Sequence, residues 1–183
     1  MTNDVVLVNA QDVQIGICDK RVAHSGAGQL HRAFSVHLID SAGRHLLQCR
    51  AAGKMLWPGF WSNACCSHPA PGETIMDAAS RRLREELGIS ASCHFLYSFE
   101  YHAHFDSIGA EHELCHVLVA RSDAVASPNT DEIREIKWWT RAEISTQLSV
   151  SEAQFTPWFL MEWRHLLSEY PSFDIPGGTS VNP

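Results

Sequence analysis

The sequence has no long hydrophobic run and no excess of positive charge. A membrane-spanning helix needs about 20 consecutive apolar residues, and the N-terminus lacks the basic and apolar segments of a secretory signal peptide. Lys and Arg number 14 against 21 Asp and Glu, which gives a formal net charge of -7. These absences argue against nucleic acid and anionic membranes as partners. We therefore expect a cytoplasmic protein whose main partners are neither nucleic acid nor an anionic membrane.

The chain also lacks the cysteine spacings of disulfide frameworks and thiolate metal sites. It has six cysteines, none of them in a CxxC pair. Their positions are spread along the chain, at 18, 49, 65, 66, 93 and 115. Reduced thiols are the expected state of such cysteines in a cytosolic protein. An unpaired thiol is then available for catalysis.

The length and the hydrophobic patterns predict a single α+β domain. At 183 residues the chain is long enough for one substantial core. Strand patterns cover 4–10, 14–19, 33–40, 45–51, 92–101, 113–121 and 133–139. Helical patterns cover 74–87, 140–143 and 157–169, and 20–30 has the composition of a loop. We expect the domain to extend over 1–173, followed by a frayed tail at 174–183.

Residues 57–73, with the sequence WPGFWSNACCSHPAPGE, contain most of the candidate chemistry. Pro69 favours an extended backbone just before it. If this backbone is extended, Cys66 and His68 point to the same side, because side chains alternate along a strand. Cys65 then points to the opposite side and is interpreted as a small buried residue. The helix that follows has Thr74 as its predicted N-cap.

Histidines and glutamates form a second candidate group. His24 and His31 flank the loop at 20–30, which can bring their imidazoles together, and His68 is a third candidate. The segment Glu111–Glu113 offers two carboxylates on one face of a strand, with His112 on the other face. Imidazole and carboxylate ligands suit Mn²⁺, Zn²⁺ or Mg²⁺. From spacing alone, an ordinary surface or hydrogen-bonded side chain is the favoured interpretation of any single histidine.

Four motifs, in their order along the chain, resemble those of type I isopentenyl-diphosphate Δ-isomerase. They are Ser62–Pro69, Tyr101, Glu111–Glu113 and Phe155–Trp158. The resemblance extends over nearly the whole chain, from residue 5 to residue 165. It implies a Nudix-like mixed β-sheet sandwich with flanking helices and an N-terminal β extension.

The predicted helix at 74–87 departs from the pattern of Nudix hydrolases, Gx5Ex7REUxEExGU. Ser67 replaces the opening glycine, and Arg82 replaces the first glutamate of the REUxEE core. The second change removes a metal ligand on which Nudix hydrolysis depends, and the isomerase family shares it. The alternative, a Nudix hydrolase of a nucleoside diphosphate, is therefore disfavoured. A Nudix-like module that binds metal without catalysis is a third hypothesis.

The resemblance implies roles for individual residues. The acid–base pair would be Cys66 and Glu113, with Tyr101 and Trp158 in the same cavity. One divalent metal (Mn²⁺, Mg²⁺ or Zn²⁺) would be held by His24, His31, His68, Glu111 and Glu113. A Mg²⁺ bound together with the substrate diphosphate would have Glu86 as a ligand. The diphosphate charge would be neutralised by Lys20, Arg50, Lys54 and Arg82, unless these are ordinary surface cations.

The implied reaction converts isopentenyl diphosphate to dimethylallyl diphosphate in isoprenoid precursor biosynthesis. Protonation of the alkene gives a tertiary carbocation, and loss of a neighbouring proton gives the product. An alkene is a very weak base, so the acid and the base must both be positioned on the substrate. Trp158 is the candidate for stabilising the cation, and Trp57 or Trp61 can line the pocket. We expect a monomer or a weak dimer.

Overall fold

The computed structural model describes residues 3–170 and has one mixed sheet with helices on both faces. The nine strands are β1 (Asp4–Val8), β2 (Gln14–Asp19), β3 (His31–Ile39), β4 (His45–Arg50), β5 (Trp61–Ser62), β6 (Cys65–Ser67), β7 (Cys93–Phe105), β8 (Gly109–Arg121) and β9 (Ile133–Trp139). The helices are α1 (Lys20–Ala23), α2 (Ile75–Leu87), α3 (Arg141–Ser151) and α4 (Pro157–Glu169). The predicted α+β class is confirmed. The tail predicted at 174–183 lies outside the described residues.

Strand β3 occupies the centre of the sheet. It pairs in parallel with β8 along its whole length, from His31 opposite Glu113 to Ile39 opposite Arg121. It also pairs antiparallel with β6, where Ser35 lies opposite Cys66. The hairpin of β1 and β2 joins β3 near its start and forms the N-terminal β extension. As a result, β6 and β8 both lie beside the central strand.

Each face of the sheet buries one of the longer helices. On one face, Leu83 and Leu87 of α2 pack in a cluster that contains Phe34 of β3. On the other face, Phe159 and Trp163 of α4 pack with residues of β4 and β8. Complete burial of such a side chain contributes about 1.5–3 kcal/mol to folding. Within residues 3–170, no helix is both long and apolar enough to span a membrane.

Two caps fix the bounds of α2. The Thr74 side chain accepts a hydrogen bond from the backbone N–H of Asp77. At the other end, Gly88 adopts φ 68°, a left-handed conformation that costs glycine little. The helix therefore ends where the sequence predicts.

Four elements differ from the sequence prediction. The segment predicted as a loop at 20–30 begins with α1, a single turn that the side chain of Asp19 caps through the N–H of Arg21. The helix predicted at 140–143 continues to Ser151, after a capping box formed by Thr140 and Glu143. Strands β7 and β8 are longer than predicted and meet in a tight hairpin. One helical turn is too short to produce a periodic pattern, which explains the first difference.

Candidate active site

Five side chains converge in the described part of the chain to form a group able to hold a metal ion. Their ligand atoms all lie within 4.8 Å of one another. His24 follows α1, His31 begins β3, His68 follows β6, and both glutamates project from β8. The parallel register of β3 and β8 brings His31 opposite Glu113. The group is the predicted set His24, His31, His68, Glu111 and Glu113.

Backbone carbonyls orient two of the three imidazoles. The Nδ1 atom of His24 lies 2.6 Å from the carbonyl oxygen of Lys20, and Nδ1 of His31 lies 2.7 Å from that of Gln29. A carbonyl oxygen only accepts hydrogen bonds, so each Nδ1 carries the proton in the neutral ring. Each Nε2 then presents a lone pair toward the centre of the group. This is the arrangement that metal-binding histidines require.

The contacts inside the group fit a divalent cation. Nε2 of His24 lies 2.7 Å from Oε2 of Glu111, yet both atoms are buried without a well-formed hydrogen bond. Nε2 of His31 lies 3.1 Å from Nε2 of His68. Burial, followed by the nearby positive charge of Lys20, lowers the pKa of His68 well below its ordinary value. Lone pairs and carboxylates this close repel one another unless a proton or a metal cation lies between them, and five ligand atoms in one group suit a metal cation.

A close backbone approach fixes the position of His24 against β8. The N–H of Ala110 donates a hydrogen bond to the carbonyl oxygen of His24 at 3.0 Å. A Cβ added at the neighbouring Gly109 would lie 2.2 Å from that oxygen. Only glycine therefore allows the two segments to meet at this distance.

We expect Gly109→Ala to lower both the free energy of unfolding and the affinity for metal. Relief of the contact must displace His24 or β8, at a cost of about 1–3 kcal/mol. Urea unfolding and elemental analysis of the dialysed protein measure the two effects. Gly16→Ala is the matched control, because its new Cβ would make an ordinary 3.5 Å contact with Leu7. Equal effects of both substitutions would contradict this role of Gly109.

A cavity of about 260 Å³ lies next to the five-residue group. Its walls include all four residues predicted for catalysis: Cys66, Tyr101, Glu113 and Trp158. The thiol comes from β6 and the carboxylate from β8, which flank β3. The lining also contains Lys20, Arg50 and Lys54. One cavity thus combines the Cys66 thiol, the Glu113 carboxylate, the Trp158 indole and three of the predicted basic side chains.

Glu113 connects the five-residue group with this cavity. Its Oε1 lies 2.9 Å from Nε2 of His68, and its Oε2 accepts a hydrogen bond from the hydroxyl of Tyr101 at 2.6 Å. Although burial opposes ionisation, the contacts with His31 and Tyr101 lower the pKa of Glu113. Burial and the neighbouring Glu113 raise the pKa of Tyr101 well above its ordinary value. Tyr101 is therefore a neutral donor to an ionised carboxylate.

We expect Tyr101→Phe to lower kcat about 10- to 100-fold, because a hydrogen bond to a charged group is worth about 1.5–3 kcal/mol. The ring and its packing against Trp158 remain, so bound metal is expected to stay unchanged. Steady-state kinetics and elemental analysis test both statements. A kcat within twofold of the wild-type value would remove the hydroxyl from the mechanism.

Hydrogen bonds fix Cys66 and Trp158 on the wall of the cavity. Burial and the negative charge of Glu162 raise the pKa of the Cys66 thiol well above its ordinary value. The thiol donates to Oδ1 of Asn63 at 3.3 Å. The indole Nε1–H of Trp158 donates to Oγ of Ser62 at 3.0 Å. The cavity therefore presents a protonated sulfur and a fixed indole.

Comparisons with known proteins place this arrangement in a family. The NUDIX domain model matches residues 29–159. Isopentenyl-diphosphate Delta-isomerase 1 of Photorhabdus laumondii is 40% identical over 169 residues, which are 91% of this chain and 96% of that protein. The chain belongs to the isopentenyl-diphosphate Δ-isomerase family. A second member of this family, from Nocardia farcinica, is 44% identical over 155 residues, 84% of this chain and 89% of its own length.

Solved structures agree with the Nudix fold of the isomerase family. A protein of Deinococcus radiodurans superposes with a TM-score of 0.69 at 24% identity, covering 88% of this chain and 98% of its own. A Nudix hydrolase of M. smegmatis superposes with a TM-score of 0.58 at 16% identity. The match covers 96% of this chain and 98% of the hydrolase. At these identities the likeness establishes the fold alone.

The basic residues predicted for the diphosphate of an isomerase substrate divide between two adjoining concavities. Lys20, Arg50 and Lys54 line the cavity described above. Arg82 lines a neighbouring groove that shares Lys20 with that cavity. Both Lys54 and Arg82 bind the carboxylate of Glu132, the latter at 3.0 Å.

Glu132 is a residue that the sequence prediction missed. Although burial opposes ionisation, Lys54 and Arg82 lower its pKa to about 2. It is separated from Lys54 by 78 positions, so no local pattern indicates the contact. A single carboxylate thus keeps two of the predicted phosphate-binding cations beside each other.

Glu86 lies apart from the other predicted metal ligands and from the predicted catalytic residues. It is buried on α2, outside the five-residue group and the lining of the cavity. Its Oε1 accepts from Arg82 at 2.6 Å, and its Oε2 accepts from Gln48 at 3.3 Å. The predicted contact between Glu86 and a substrate-bound Mg²⁺ therefore stays a prediction, because an arginine occupies the carboxylate.

Proposed function

We propose that this protein converts isopentenyl diphosphate to dimethylallyl diphosphate. The observation that carries the proposal is the placement of Cys66 and Glu113 in one cavity, on strands that flank β3. Three basic side chains in the same lining suit the diphosphate. The relatives that are 40% and 44% identical carry the name of this isomerase.

The proposed reaction moves one double bond and leaves the diphosphate intact. A proton adds to the terminal alkene carbon, which leaves a tertiary carbocation at its neighbour. A proton then leaves the adjacent methylene, and its C–H electron pair forms the new double bond. Cys66 and Glu113 are the proposed acid and base. Because the reaction is reversible, each gives up a proton in one direction and accepts one in the other.

Trp158 is the residue proposed to stabilise the carbocation. An indole stabilises a cation without bonding to it, by about 1–2 kcal/mol or more where water is excluded. The hydrogen bond to Ser62 holds the ring, and Trp57 packs edge-on against it at 5.3 Å between centroids. The guanidinium of Arg50 lies 5.3 Å from the ring centroid. The indole is thus held from several sides while it lines the cavity.

The proposed metal site consists of His24, His31, His68, Glu111 and Glu113. A bound Mn²⁺, Mg²⁺ or Zn²⁺ would supply the positive charge that neutralises the two carboxylates and favours the ionised form of Glu113. A Mg²⁺ that accompanies the diphosphate would use Glu86. Lys20, Arg50, Lys54 and Arg82 are the proposed contacts of the diphosphate oxygens. We further propose a single domain over 1–173 that acts in the cytoplasm as a monomer or weak dimer.

The residues of α2 favour isomerisation over Nudix hydrolysis. Arg82 stands where the hydrolase pattern has a glutamate, and it binds Glu85 at 2.8 Å and Glu86 at 2.6 Å. These carboxylates belong to arginine pairs, whereas the metal-capable group found among residues 3–170 lies around His24. Cys66 and Glu113 thus line the cavity, whereas the adjacent carboxylates of Glu85 and Glu86 on the helix are bound by an arginine.

Two parallel incubations test the proposed function. Isopentenyl diphosphate is followed by proton and phosphorus NMR, and a set of nucleoside diphosphates is assayed for phosphate release. We expect new dimethyl signals from the first substrate with its diphosphate unchanged, and no release from the nucleotides. Nucleotide hydrolysis without isomerisation would favour the hydrolase alternative. Inactivity in both assays would favour a binding module.

A further inference from the structure

A buried carboxylate lies behind the thiol of Cys66. Glu162 projects from α4 and is 0% exposed. It is absent from the lining of the cavity and so does not face the substrate. Burying a carboxylate is unfavourable unless hydrogen bonds compensate for the lost water. Its bonding partners therefore indicate what it does.

Glu162 accepts hydrogen bonds at both oxygens. Its Oε1 accepts from Oγ of Ser35 at 2.8 Å. Its Oε2 lies 2.9 Å from Nε2 of His37 and accepts from Nδ2 of Asn63. His37 and Asn63 are themselves 3% and 1% exposed, so water does not compete for these bonds. The carboxylate thus binds the donor end of the Asn63 side chain inside the core.

The other end of the same amide faces the active site. Oδ1 of Asn63 accepts from the thiol of Cys66 at 3.3 Å and from Oγ of Ser62 at 3.1 Å. An amide NH₂ only donates and an amide oxygen only accepts. Rotation of the amide by half a turn would place its oxygen against the Glu162 carboxylate and its NH₂ against two hydroxyl or thiol donors. Nε2 of His37, which contacts Glu162, also lies 3.1 Å from Nδ2 of Asn63. Glu162, together with the His37 ring that it contacts, therefore selects one of the two orientations.

The same hydrogen-bond chain reaches the indole. Ser62 accepts the Nε1–H of Trp158 at 3.0 Å while its own hydroxyl donates to Asn63. The amide orientation therefore affects the thiol directly and the indole through one hydroxyl. Cys66 and Trp158 are thus both connected to the Asn63 amide. Ser62 also accepts a hydrogen bond from the hydroxyl of Thr156 at 3.0 Å.

We propose that Glu162 is a positioning residue, which holds Cys66 and Trp158 in place by fixing the orientation of the Asn63 amide. The kinetic consequence rests on the proposed isomerase function, whereas the orientation of the amide does not. Glu162 acts here as a hydrogen-bond acceptor. A neutral side chain with an oxygen at the same place can therefore replace it.

Two substitutions of Glu162 separate this role from simple packing. Glu162→Met keeps the length of the side chain and removes the acceptor, so we expect kcat to fall about 10- to 100-fold, with KM within twofold. Glu162→Gln keeps an oxygen for Asn63, so we expect kcat to recover to within threefold of wild type. Ser35→Ala is the matched control: it removes a bond from the other carboxylate oxygen, and kcat is expected to stay within twofold. A fully active Met variant, or a Gln variant as slow as Met, would overturn the proposal.

A double-mutant cycle tests whether Glu162 acts through Asn63. Asn63→Ala removes the amide, so it should lower kcat as much as Glu162→Met does. The double variant should then be no slower than Asn63→Ala alone, because the two residues form one chain. A double variant whose loss of kcat equals the product of the two single losses would overturn the proposal. If Glu162→Met does not fold, Asn63→Ala still tests the proposal. A normal kcat in the absence of the Asn63 amide would contradict the positioning role.

Nitrogen-15 NMR of labelled asparagine gives a readout that does not need turnover. The side-chain NH₂ signals of Asn63 are assigned by their absence in Asn63→Ala. We expect these signals to shift in Glu162→Met and to stay near their wild-type positions in Ser35→Ala. Unchanged signals in the Met variant would overturn the positioning role. An inactive wild-type protein with the expected shifts would instead contradict the proposed function and retain the positioning role.

Discussion

Replacement of Cys66 by alanine is expected to lower turnover about 10²- to 10⁴-fold, the range associated with loss of a general acid or base. Its thiol lines the same cavity as the carboxylate of Glu113, and β6 and β8, which carry them, flank β3. Bound metal should remain, because the sulfur is not part of the five-residue group. Steady-state kinetics and elemental analysis of the same preparation measure both effects.

Cys65→Ala is the matched control for this prediction. Cys65 adjoins Cys66 in the chain, but it is 0% exposed and points to the opposite side of β6, where its sulfur lies 3.5 Å from Glu86. We expect the turnover of the Cys65→Ala variant to remain within threefold of wild type. Near-normal activity of Cys66→Ala would remove the thiol from the mechanism. Equal loss in both variants would show that the sulfur in the cavity has no special role.

Replacement of His68 by alanine is expected to remove metal and activity together. Nε2 of His68 lies 2.9 Å from Glu113 and 3.1 Å from Nε2 of His31. Even residues that only support metal ligands cost about 10- to 100-fold in affinity when changed. We expect a loss of at least that size for a direct ligand. Elemental analysis after dialysis gives the metal stoichiometry, and added Mn²⁺ or Mg²⁺ should restore part of the rate.

His112→Ala provides the control for loss of a histidine. His112 lies between the two glutamates of β8, but its ring points away from the group and contacts Glu100 at 3.1 Å. We expect normal metal content and a normal rate. An unchanged stoichiometry in His68→Ala would contradict the ligand role, whatever its activity.

Local sequence patterns predicted the parts of the fold that local chemistry determines. Alternation along an extended segment correctly separated buried Cys65 from cavity-lining Cys66. A proline at the first helical position correctly marked the start of α4. In each case the residues that decide the structure are neighbours in the chain.

Contacts between residues far apart in the chain determine the geometry of the site. The parallel register that sets His31 opposite Glu113 joins residues 82 positions apart (113 minus 31), and no local period encodes it. The contact between Asn63 and Glu162 spans 99 positions. The resemblance to a family supplied the candidate residues, and the sheet supplies their geometry. Residues that support others, such as Glu132 and Glu162, have no motif and become visible only once the chain is folded.

Turnover of isopentenyl diphosphate in D₂O tests the central claim most directly, because Cys66 and Glu113 are proposed to exchange hydrogen on carbon and do nothing to phosphorus. We expect the wild-type protein to place solvent deuterium in a methyl group of dimethylallyl diphosphate, with no phosphate released. Phosphate release without any carbon-bound deuterium would contradict the account.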